Sequence, residues 1–165
     1  MKPATAANIT SADVAAFLVH AGQSPDTERR LSVQHWGPAE WSNLFAYTVP
    51  VELDAGEVLI EQNDSDRALF FMISGKLEVA SIDVADSSVS QIAVIAPGSI
   101  VGEFSFFDGG PRSAKVWAVT RSRLLRLTLQ DFERYRNEHL AEASFLLFAL
   151  AHLLAVRVRN AIAHR

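Results

Sequence analysis

Between Tyr47 and Leu127 the apolar residues fall into short runs, separated at regular intervals by glycine turns and polar loops. Val49, Val51 and Leu53 alternate, Asp54-Ala55-Gly56 turns the chain, and Val58-Leu59-Ile60 resumes it. Beyond a polar loop, Asn63–Asp66, the runs Leu69–Ile73 and Lys76–Ile82 flank a Ser74-Gly75 turn and read as a hairpin. A second polar loop, Asp83–Ser88, leads to Gln91–Ile95, and Pro97-Gly98 turns into Ile100-Val101. Lys115–Val119 and Arg123–Leu127 complete the series. Seven or eight strands this short leave many edges to satisfy, which argues for a closed antiparallel barrel or jelly roll. The expected class is therefore mainly β with flanking helices.

The flanks read as helical. Thr10 or Ser11 caps a helix over Ala12–Ala21 with Val14, Phe17 and Leu18 at helical spacing, ahead of Gly22. Ser24-Pro25-Asp26 marks a second start, and Pro38–Ala46 is a third short helix carrying Trp41, Leu44 and Phe45. After the strands, Leu129–Asn137 returns to helical period and Leu140–Ala163 is the longest helix. Leu140, Leu147, Leu154 and Ala161 recur every seven residues there, widened by Leu150, Leu153 and Ile162. An apolar surface that broad has two faces to bury, one on the barrel and one on a second subunit. These boundaries divide the chain into an N-terminal helical segment 1–46, a barrel 47–128 and C-terminal helices 129–165, one structural domain overall.

A length of 165 residues with 49% hydrophobic content suits one domain with a real core. The absence of cysteine excludes disulfides and thiolate metal sites, and a reducing cytoplasm is compatible with it. Val14–Val19 is too short for a signal segment and Phe145–Val156 too short to span a bilayer, so no membrane contact is expected. The five histidines are scattered, and His139 with Glu142 reads as a solvated helical turn without further ligands. Arginines concentrate after Arg112, but they interleave with Leu, Val and Phe as a solvated face does, which speaks against a nucleic-acid surface. No nucleophile–base pair or metal constellation can be assembled, so no enzyme is expected.

The chemistry concentrates in Val101–Val116, VGEFSFFDGGPRSAKV. Gly98 and Gly102 permit tight turns, and Glu103–Phe107 can form one helical turn whose first N–H groups suit a phosphate. Glu103 makes sense there as an acceptor from a ligand hydroxyl, such as a ribose 2′-OH. Asp108-Gly109-Gly110-Pro111 returns the chain so that Arg112 reaches the same pocket, where guanidinium on phosphate is a charge-assisted contact. Ser113 adds a hydroxyl. On a plainer reading Arg112 is a surface arginine and Glu103 a helix-terminal carboxylate; Phe104, Phe106 and Phe107 read as core.

The order Gly-Glu-apolar-x-apolar-apolar, a short turn and then Pro-Arg-Ser-Ala resembles the phosphate-binding cassette of cyclic nucleotide-binding domains. Such domains occur in bacterial catabolite activator proteins, kinase regulatory subunits and gated channels. Leu53–Ile60, Leu69–Val79 and Ile95–Gly98 resemble the family's barrel strands, and the likeness runs from about Leu31 to Asn160. It implies a double-stranded β-helix jelly-roll barrel with N-terminal helices and a long C-terminal helix. By the same resemblance Glu103 holds the ribose 2′-OH and Arg112 the cyclic phosphate, while Gly102, Phe104, Ser105, Ser113 and Ala114 line the pocket. Where activator proteins carry a Thr-Ser pair for the base, an ungapped count places Arg157-Val158. Arg157 could stack over a purine, bond its edge or point to solvent, and Asn160 is a weaker candidate.

The resemblance implies a cytoplasmic sensor or regulatory module whose ligand is cAMP, with cGMP possible, signalling through the C-terminal helix. The partners it implies are a homodimer mate along that helix and an effector protein of unknown identity. The chain stops at Arg165 without room for a helix-turn-helix, so no nucleic acid is expected through it. The alternative is a barrel without ligand that serves as an interaction or dimerisation scaffold. From sequence, Arg112→Leu is expected to abolish most binding and leave the thermal transition nearly unchanged.

Overall fold

The computed structural model describes residues 8–23, 31–83 and 88–163. The helical start at Ser24-Pro25-Asp26 lies outside the described residues. Among the described residues two helices, α1 (Ser11–Gln23) and α2 (Pro38–Phe45), precede the first strand. The strands are β1 (Val49–Leu53), β2 (Val58–Ile60), β3 (Ala68–Ser74), β4 (Leu77–Asp83), β5 (Ser88–Ile95), β6 (Ile100–Val101), β7 (Lys115–Ala118) and β8 (Ser122–Thr128). A short helix α3 (Glu103–Asp108) interrupts the series between β6 and β7, and α4 (Leu129–Glu138) and α5 (Leu140–Ala163) follow it.

The strands form two four-stranded sheets, in the orders β1-β8-β3-β6 and β2-β7-β4-β5, with every pairing antiparallel. Between the sheets lies one core, with Leu53, Phe70, Met72, Leu77, Ile95, Val116 and Leu124 among its members. A second core lies on the other face of the first sheet, where Leu69, Phe71, Ile73, Leu125 and Leu127 meet the helices. This explains why β3 reads as an unbroken apolar run: alternate residues face different cores, and none from Ala68 to Ile73 reaches solvent. Phe17 of α1 packs its ring 4.8 Å from Trp41 and 5.8 Å from Phe71, which seats the N-terminal helices on that sheet.

An ion-pair cluster fixes α1 further. Asp13 accepts from Nε and Nη2 of Arg123 at 2.8 and 3.0 Å, and Arg123 Nη1 donates to Glu52 at 2.6 Å. The cluster therefore ties α1 to β8 and β1.

The seam on which α5 packs differs from the heptad expected. Ala143, Leu146, Ala149, Leu150 and Leu153 are the buried residues, whereas Leu140 is 68% exposed and Leu147 and Leu154 are only half-buried. A helix that is apolar nearly all round gives no periodic signal to say which stripe faces inward. By length and composition α5 could also cross a membrane, which the shorter run Phe145–Val156 had not suggested. Its inner stripe is instead part of the core that α1, α2 and β3 share.

Candidate functional site

The segment from β6 to β7 is held on two sides. On one side stands the β2–β3 loop: Arg112 N donates to Asp64 O at 2.8 Å and Asn63 N to Arg112 O at 2.9 Å. Arg67 then closes the C-terminal end of α3, donating to the carbonyls of Ser105, Phe106 and Phe107 at 3.2, 2.7 and 3.2 Å. On the other side stands α5, which reaches across with Arg157.

Arg112 is 3% exposed, so its charge must be met within the protein. Nη1 donates to Gly102 O at 3.0 Å, and Nη2 donates to Ala68 O at 3.0 Å and to the Asp66 carboxylate at 2.9 Å. Asp66 also accepts from Arg126 at 3.0 Å. These acceptors hold the guanidinium in place, yet Nε stays buried and finds no acceptor among the described residues.

Gly102 makes this close approach sterically possible. Its φ is +93°, and a Cβ there would stand 2.6 Å from Ala68 O and 2.7 Å from Arg112 Nη1. Gly102→Ala should therefore shift Arg112 and lower the thermal midpoint, the backbone strain alone costing about 1–3 kcal/mol of stability. A melt identical to that of the unsubstituted chain would refute that placement.

Glu103, the first residue of α3, is 4% exposed. Its Oε1 accepts from Arg157 Nη1, and Arg157 Nη2 donates to Ile100 O at 3.2 Å. Arg157 thus neither stacks over open space nor points to solvent; it clasps the turn between Ile100 and Glu103.

All eight residues singled out from the sequence line one cavity of about 470 Å³: Gly102, Glu103, Phe104, Ser105, Arg112, Ser113, Ala114 and Arg157. Asn160 lines it as well. Its apolar wall includes Ile60, Val79, Ile95, Val101 and Val116, strand residues of the core between the sheets that alternation marks as buried without marking them as pocket, and Ile100 beside them. Sequence reasoning missed Asp66, Arg67 and Ala68 altogether, since their partners are 38 or more residues away. The reading of the phenylalanines as core, with one of them capping the barrel, holds for Phe106, which is buried, and is corrected for the others: Phe104 is 43% and Phe107 37% exposed, and Phe104 lines the cavity. His139 pairs with Glu142 at 3.2 Å, and no metal-holding cluster exists among the described residues.

A jelly roll with a glycine-framed helical turn, a buried carboxylate and a buried guanidinium on one cavity defines a ligand-receiving barrel. The family model for the cyclic nucleotide-binding domain matches residues 50–139. This chain belongs to that family. It is 32% identical over 135 residues to the cyclic AMP receptor protein of Thermus thermophilus, covering 73% of this chain and 59% of the receptor. The Thermus thermophilus catabolite activator protein structure superposes with a TM-score of 0.72 at 27% identity, over 79% of this chain and 59% of that one. A cyclic nucleotide-binding domain from Methylobacillus flagellatus gives a TM-score of 0.78 at 20% identity, over 93% and 83%, and speaks for the fold. This chain thus spans about three fifths of the length of the Thermus receptor.

Proposed function

We propose that this chain is a cytoplasmic sensor of a cyclic nucleotide, cAMP in the first instance and cGMP as its competitor, that signals through α5. The observation that carries the reading is the pair of recognition groups on one cavity: a guanidinium with an uncommitted buried Nε and a buried carboxylate. The cyclic phosphate takes Arg112, and the ribose hydroxyl takes Glu103. Gly102, Phe104, Ser105, Ser113, Ala114 and Arg157 complete the lining. A cavity of about 470 Å³ falls in the ordinary range for small-molecule sites. The name of the Thermus receptor favours cAMP. Calorimetric titration with cAMP and cGMP tests the reading, and absence of binding by either would sink it.

The role is regulatory and not catalytic, as is typical of the family. Ligand can shift α5 only by as much as its affinity differs between the two placements of the helix. The output partners are a second copy of this chain along α5 and an effector protein. Phe148, Ala155 and Ile162 recur every seven residues on the exposed face, with Ala151 and Val158 three positions after the first two. Phe148 is 76% exposed, and such a stripe is the seam of a two-helix coiled coil. Sedimentation is expected to show a dimer that Phe148→Glu converts to monomer. The unsubstituted chain sedimenting as monomer at high concentration would remove the dimer. A dimer that binds no cyclic nucleotide would instead select the scaffold reading.

A further inference from the structure

We infer that Arg157 is a positioning residue that holds the Glu103 carboxylate ready for a ligand hydroxyl, and so makes ligand affinity depend on the docking of α5. This rests on the cyclic-nucleotide reading above.

Glu103 is nearly sealed from water, and a buried carboxylate is costly unless paired. Without a partner its side chain would turn out of the cavity to reach water, which removes the acceptor that a hydroxyl needs. It would also repel the anionic phosphate entering the same cavity beside Arg112. Arg157 resolves both problems, because its charge offsets Glu103 and its bond to Oε1 fixes the side chain. A carboxylate has about four lone-pair positions, so one such bond leaves capacity for a hydroxyl. With the guanidinium in its wall the cavity still measures about 470 Å³.

The second bond, from Arg157 Nη2 to Ile100 O, ties the same guanidinium to the strand that precedes Gly102. Docking of α5 and correct placement of Glu103 are therefore one event. A ligand hydroxyl that requires this Glu103 conformer stabilises the docked helix, and by linkage the docked helix strengthens binding of the hydroxyl.

The test is calorimetric titration of the full chain and of R157Q, R157K, E103Q and E103Q/R157Q with cAMP, 2′-deoxy-cAMP and cGMP. The unsubstituted chain should prefer cAMP over 2′-deoxy-cAMP by roughly tenfold or more, as a hydrogen bond to a charged group requires. In R157Q that preference should collapse towards about one, through loss of cAMP affinity with little change for 2′-deoxy-cAMP. R157K should recover part of it, the cAMP-to-cGMP ratio should not move, and E103Q/R157Q should be no worse than E103Q alone.

Three results would overturn the assignment: R157Q that keeps the 2′-hydroxyl preference, R157Q that shifts the cAMP-to-cGMP ratio because Arg157 reads the base, or R157Q that binds cAMP more tightly because Arg157 competes with ligand. Failure of the unsubstituted chain to bind any cyclic nucleotide would sink the sensor reading and this role with it. Hydrogen exchange on the unsubstituted chain needs no variant to fold: cAMP should slow exchange in residues 154–163 more than saturating 2′-deoxy-cAMP does. Equal slowing by the two would also overturn the role of Arg157.

Discussion

Arg112→Leu is expected to weaken cyclic-nucleotide binding by about 2–5 kcal/mol, the cost of removing one partner from a desolvated charge pair. That corresponds to roughly 30-fold to several thousandfold in affinity, within reach of calorimetric titration. The same substitution should also lower the thermal midpoint, contrary to what the sequence alone suggests. Arg112 is buried and donates to Gly102 O, Ala68 O and Asp66, so leucine removes three hydrogen bonds; Asp66 keeps Arg126 and Gly102 O keeps Phe106 N, which leaves Ala68 O as the buried acceptor that loses most. An unmet buried acceptor costs about 1–3 kcal/mol. Arg112→Lys separates the two effects: it restores a positive charge for the phosphate but cannot reach all three acceptors with a planar fork. Tight binding by the leucine variant would reject Arg112 as the anion partner. An unchanged melt would reject its role as the tie between the β2–β3 loop and Gly102.

The cassette was legible because its signals are local. Gly102 has to admit Arg112, Gly109 ends α3 with a left-handed φ of +69°, and the intervening helix is six residues long. The strands were legible for a similar reason, since alternation and glycine turns are read within a few residues. What sequence could not supply was partnership across the fold. The Arg157–Glu103 pair spans 54 positions and the Arg112–Asp66 pair 46, and neither residue type at either distance announces its mate. The facing of α5 was obscure for another reason. Leu140, Leu147 and Leu154 look as suited to a core as Leu146, Leu150 and Leu153, and only the position of the barrel decides between them.

The supports of the cavity differ in kind, which bears on how occupancy could be transmitted. The loop side is held by several backbone and arginine bonds spread over Asn63–Ala68, so it is over-determined. On the helix side Arg157 donates to Glu103 and Ile100 O, and Ala143, Leu146, Ala149, Leu150 and Leu153 of α5 are buried in the core.

The N-terminal helix has its own point of failure, and Asp13→Asn should expose it. Asp13 is 6% exposed, and hydrogen bonds from Arg123 hold its carboxyl below the usual range against the opposing effect of burial; Thr10 adds to the lowering. The same contacts hold Arg123 above its ordinary value. Asparagine removes the charge, leaving Arg123 only Glu52, so a loss of about 2–3 kcal/mol is expected, at or just below the lower end for a broken buried pair because Arg123 is partly exposed. For a chain of this size that is a fall of roughly 4–12 °C in thermal midpoint. The pH dependence follows from the direction of the shift. A carboxyl whose folded pKa lies below its unfolded value, about 3.9, contributes fully above that value and loses its contribution as pH falls through the folded one. The gap in stability between the unsubstituted chain and Asp13→Asn should be constant from about pH 8 to pH 5 and narrow below about pH 4. A gap that stays constant to about pH 2.5, or no gap at neutral pH, would show that the Asp13–Arg123 pair does not hold α1 to the sheet.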